Sequence, residues 1–83
     1  VPYIKSERRL MFEEGLEKLN PECAGDLNYI FSKLILHYFV DKGGMNYQLV
    51  NDAIGALEGC KLEMYRRFAA PYEDKKSIEN GDI

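Results

Sequence analysis

The sequence predicts an all-α protein: an antiparallel bundle of three main helices with a short C-terminal helix or tail, in one domain over residues 1–83. Three observations carry this reading. Apolar residues recur at helical spacing in three stretches. Pro and Gly punctuate the chain between those stretches. Strand signals are essentially absent, and short loops imply antiparallel neighbours.

The first helix is expected from about Glu7 to Leu19, with Ser6 accepting a bond from a free backbone N–H at its start. Phe12, Leu16 and Leu19 make one apolar stripe, and Asn20-Pro21 ends the helix. Tyr3 and Ile4 precede the cap and are placed to pack back as a staple.

The second helix is expected after Asp26, a good N-cap. Leu27, Ile30, Phe31, Leu34 and Tyr38 define a core face. Ile35, Leu36, Phe39 and Val40 then make the helix apolar nearly all round, so it needs cover on two sides. The stretch "DKGG" stops it, with glycines free to take the left-handed cap conformation.

The third helix is expected from about Tyr47 to Ala69, with Asn46 as N-cap. Val50, Ala53, Ile54, Leu57, Cys60, Met64 and Phe68 share one face, read as core. Pro71 is expected to end it, because the residue before proline is pushed out of the helical region. Tyr72–Asn80 is read as a short fourth helix, with Pro71 at its first position and Gly81 beyond its end.

Composition narrows the function classes. The chain is 46% hydrophobic and 30% charged, enough for a core and a hydrated surface. A domain this short buries only roughly 60–65% of its unfolded surface, so self-association is an easy remedy for marginal stability. The net charge of −3 argues against general nucleic-acid coating, which needs surplus Lys and Arg. No apolar run is long enough for a membrane span, and "VPYIKSERR" shows no signal-peptide pattern. Cys23, Cys60 and the single His37 lack metal spacing; the cysteines read as reduced and cytoplasmic. No cofactor or metal is implied.

Opposite the expected core stripe of the third helix sit Asp52, Gly55, Ala56, Gly59, Glu63 and Arg66. Each interior glycine costs about 1 kcal/mol relative to alanine. The usual gain is close backbone approach by another element. If two copies cross antiparallel at Gly59, Asp52 meets Arg66 of the other copy, since both lie seven residues from Gly59. Such a twofold contact is self-complementary. The alternatives are Tyr3, Ile4 or the C-terminal tail packing there, or a ligand needing backbone contact.

Tyr65, Arg66, Arg67 and Tyr72 are the candidate ligand-binding residues. Guanidinium forks and aromatic faces suit a nucleotide or phosphorylated metabolite. No glycine-rich phosphate loop accompanies them. The simpler reading pairs Glu63 with Arg66 and Arg67 along the helix. His37 reads as a packing histidine. No nucleophile and base can be assembled from spacing, so no catalytic residue is named.

Glu13, Glu14 and Glu17 match the E-E-x-x-E box of MazG-type nucleotide pyrophosphohydrolases, whose carboxylates hold Mg²⁺. That resemblance implies an E-x-x-D within a few tens of residues. The only such motif with both carboxylates is Glu79–Asp82, far too distant. A solvated acidic face is the simpler reading.

The strings "PYI" at 2–4, "LNYI" at 27–30, "NDAIGALEGCKLEMYRR" at 51–67 and "APYEDKKSIENGDI" at 70–83 resemble a small uncharacterised all-helical family of bacteriophage and bacterial genomes. The resemblance implies a short cytosolic helical protein, in the host cytosol if phage-encoded, and brings no catalytic residues. By class analogy it implies action by binding, to a host protein or to a signalling nucleotide. The ranked expectations are a non-enzymatic homo-oligomer, most simply a dimer, then sequestration of an anionic nucleotide, then a degenerate metal-dependent pyrophosphohydrolase.

Overall fold

The architecture is taken from a computed structural model that describes residues 3–83; Val1 and Pro2 lie outside the described residues. All regular structure among the described residues is helical: α1 (Ser6–Glu17), α2 (Ala24–Asp41), α3 (Tyr47–Met64), a π-helical turn (Tyr65–Ala69) and α4 (Ala70–Asn80). The chain divides into two units, Pro2–Val50 and Asn51–Ile83.

In the first unit, α1 starts one residue earlier than its cap signal indicates. Lys5 holds the cap position, with its carbonyl accepting from Arg8 and Arg9 at 3.0 and 3.1 Å, and Ser6 lies inside the helix. The Arg9 guanidinium donates to the Ile4 carbonyl at 3.0 Å and ties down the entering strand of chain. The helix closes two residues short of Leu19. Lys18 and Leu19 donate to carbonyls three residues back, a tighter turn that leads out before Asn20-Pro21.

Helix α2 also starts early. Asp26 is not its N-cap; Cys23 is, and Asp26 sits one turn in. From there its carboxylate reaches back to accept the Glu22 backbone N–H at 2.9 Å. The carboxylate thus holds the chain just before the helix rather than capping the helix's own free N–H groups, as an N-cap would. The other end is a complete Schellman turn. Gly44 N–H donates to the Phe39 carbonyl at 2.9 Å and Gly43 N–H to Val40 at 3.0 Å. Both glycines take positive φ, +93° and +119°, which only glycine adopts without strain.

Asn46 caps α3 as its position implies: its Oδ1 accepts the Leu49 N–H at 2.9 Å. The helix's α-type bonding ends at Met64, while the chain stays helical through Ala69 and beyond. At Tyr65 its hydrogen bonding widens to π spacing, and the Ala70 N–H donates to the Tyr65 carbonyl. Pro71 does not end the helix; it sits in the first turn of α4. Proline lacks the N–H that would bond Arg67, and its ring crowds that carbonyl. Widening the turn by one residue shifts the register and lets the chain stay helical through it. Gly81 closes α4 with φ +88°.

Burial is the largest departure from expectation. Among the described residues only Leu49, at 8% exposure, and Ala53, at 9%, are buried. The stripe read as the core of α3 is largely open: Ile54 is 60% exposed, and Leu57, Met64 and Phe68 are exposed too. The better-covered line of α3 runs through Leu49, Ala53, Gly59 and Glu63. Helix α2 buries none of its residues; Leu34, Leu36 and Val40 stay exposed, the last at 73%. The apolar pattern is as read, and within its own unit each of these stripes is exposed. His37 is exposed rather than packed.

Candidate functional site

The second unit holds the candidate ligand residues. Where α3 passes into the π turn and then α4, side chains one and two turns apart line an open apolar groove of ≈ 680 Å³. Its walls are Lys61, Leu62, Met64, Tyr65, Phe68, Ala69 and Tyr72. The chain stays helical from α3 through the π turn into α4, so a residue after Pro71 lines the same groove as residues of α3.

Tyr65 and Tyr72 thus share one surface. The Tyr65 hydroxyl donates to Glu73 Oε2 at 2.9 Å across the junction. That bond, with the charge of Glu73, pushes the Tyr65 phenol above its ordinary value of 10.0. The Lys76 ammonium stands 5.6 Å from the centre of the Tyr72 ring and 3.2 Å from Glu79. The aromatic pair is therefore bordered by Lys61 and Lys76, two cations that sequence reading did not single out. Lys61 in turn lies 3.2 Å from Glu58.

Arg66 and Arg67 do not line the groove. Both bond the same oxygen, Glu63 Oε1, Arg67 through Nε at 2.7 Å and Arg66 through Nη2. The Glu63 side chain is only 14% exposed, while the two arginines lie largely in solvent. This is the along-helix pairing that the spacing allows. Anion capture by either guanidinium would compete with a carboxylate already in place.

On the proposed interface face, Gly55 has nothing within 4 Å of where a Cβ would stand. Asp52 and Ala56 are exposed, and Gly59 is half-buried. The open Gly55 position and the line through Ala53 and Gly59 thus differ: the first is bare, the second already partly covered.

The acidic box of α1 is spread along an exposed face. Glu13, Glu14 and Glu17 are all exposed, and Glu14 lies 3.7 Å from Lys18. Among the described residues no group of three or more His, Cys, Asp or Glu is placed to hold a metal ion. Cys23 and Cys60 are free and exposed. Among the described residues no helix is long and apolar enough to cross a membrane.

The groove was legible only in part. Tyr65 and Tyr72 stood out as aromatics near a basic pair. The spacing places Met64 and Phe68 on a core face and makes Pro71 a helix boundary. A helix continuing through Pro71 was the missing premise. A family model described as a domain of unknown function, DUF6899, matches residues 1–83. Neither a curated protein nor a solved structure matches the chain.

Proposed function

The chain belongs to the DUF6899 family, and we propose that it acts by binding, without catalysis, as a homo-oligomer assembled through α3. The observation that carries this is the exposure of apolar side chains along α2 and along α3, each within its own unit. Contiguous apolar surface on a small protein marks an interaction site. The bare Gly55 position favours close helix approach on that side, with Asp52, Ala56, Gly59, Glu63 and Arg66 around it. Pairing Asp52 with Arg66 of a second copy requires Arg66 to exchange Glu63 for the new partner. In this reading the antiparallel bundle is completed by helices of more than one chain.

The groove with Tyr65 and Tyr72 is the surface offered to a further partner, in the cytoplasm of a bacterial host if the chain is phage-encoded. Its apolar walls suit a protein side chain or a nucleobase face better than a phosphate. Nucleotide sequestration is the weaker reading, because Arg66 and Arg67 share one carboxylate.

Light scattering on wild type and Gly55→Leu tests the assembly. The expected result is an oligomer for wild type and a smaller species for the variant. A monomeric wild type removes the reading.

A further inference from the structure

We infer that Pro71, acting through the π turn, positions Glu73 on the Tyr65 hydroxyl, so that these three residues form one device that fixes the register of α4 on the end of α3. The inference concerns the second unit of a single chain. It goes beyond the binding function proposed above and does not depend on what the chain binds.

The first argument is spacing. Tyr65 and Glu73 lie eight residues apart, yet the hydroxyl donates to Glu73 Oε2 at 2.9 Å. Nearby ion pairs keep ordinary helical spacing: Lys61–Glu58, Arg66–Glu63 and Lys76–Glu79 span three residues, and Arg67–Glu63 spans four. Eight residues of unbroken α-helix turn the chain about 80° past two full turns, which sets the two side chains on different faces. Seven residues bring it back to within about 20°.

The second argument is the turn between them. The Ala70 N–H donates to the Tyr65 carbonyl, five residues back instead of four. That wide turn takes up one extra residue. Glu73 then stands where the seventh residue of an α-helix would, nearly in line with Tyr65 and two turns on.

The third argument is what holds the turn wide. Pro71 has no N–H to give, and its ring crowds the carbonyl four residues back, so it opposes a return to α bonding. The bond from Tyr65 to Glu73 fits the widened register and favours the same state. The groove depends on the result, because Tyr72 is its wall from α4. A change of register by one residue turns α4 about 100° around its axis and carries that wall away.

The test sets the two residues at both spacings within α bonding. Pro71→Ala leaves Glu73 eight residues on. The same variant with Ala69 deleted leaves it seven residues on. Proton contacts between the Tyr65 ring and Glu73, read by NMR in chains carrying labelled tyrosine, report the bond. The pH titration of the same ring reports it a second time. In wild type the contact is present, and the ring titrates above 10.0 because Glu73 holds its proton. Pro71→Ala is expected to lose the contact and return the ring to its ordinary value. Deleting Ala69 in that variant is expected to restore both. A contact that survives in Pro71→Ala overturns the inference. So does a contact that stays lost after the deletion while circular dichroism still shows the helices.

Discussion

Glu63 and Arg67 are joined from Oε1 to Nε at 2.7 Å, one turn apart on the same helix, and Arg66 binds that same oxygen. The pair locks two cations at the point where α-helical hydrogen bonding gives way to the π turn. Glu63→Gln keeps the shape and removes the charge. Its expected cost is about 1 kcal/mol or less, since both arginines are solvated. Urea unfolding of wild type and variant measures it. A cost of several kcal/mol would mean that Glu63 also holds something else in place.

Pro71→Ala restores a backbone N–H opposite the Arg67 carbonyl. The π turn is then no longer required, and the Ala70 N–H is expected to move from the Tyr65 carbonyl to that of Arg66. Stability should rise by about 1 kcal/mol, the helix gain being partly offset by a freer unfolded chain. Backbone chemical shifts over residues 65–71 read the change directly. A persistent π turn in the variant would show that Pro71 is not its cause.

Asp26 carries a pH dependence. The Glu22 N–H, then the Cys23 thiol and N–H, hold its carboxyl below the ordinary value of 3.8. The unfolded chain takes up that proton first as pH falls. The bond therefore contributes its full stability above the ordinary carboxylate range, and loses it as pH drops through the lower, folded value. Proton NMR of the Glu22 amide should shift upfield through that range, and Asp26→Asn should abolish the titration.

Gly44 lies at φ +119° and donates the long bond of the Schellman turn. Gly44→Ala is expected to cost about 1–2 kcal/mol through backbone strain. No steric clash adds to that, since nothing lies within 4 Å of the new methyl group. Calorimetry on the two chains checks the value, and an unchanged melt would show that the turn can rearrange.

Local signals were the most readable part of the fold. Asn46, Gly43, Gly44 and Gly81 act where their types place them, because a cap or a positive φ is decided by a few neighbouring bonds. Asp26 is not the cap its type suggests: the helix starts three residues earlier at Cys23, and the carboxylate binds the Glu22 N–H ahead of it instead. Two things were hidden. Pro71 is compatible with both a helix end and a wide turn, and spacing alone does not choose. The stripe of Ile54, Leu57 and Met64 has the pattern of a core, yet the pattern says only that something apolar faces it. Whether that cover comes from the same chain is not written in the periodicity. The candidate site inherited both gaps, so Tyr65 and Tyr72 were found and the groove between them was not.

The two glycines that close α2 also carry a stereochemical instruction. Positive φ is the natural territory of mirror-image residues. An 83-residue chain is within reach of chemical synthesis. A D-alanine placed at 44 would favour the handedness the turn already has, and would restrict the unfolded chain where glycine leaves it free. At that position the same methyl group stabilises or strains the fold according to its chirality alone.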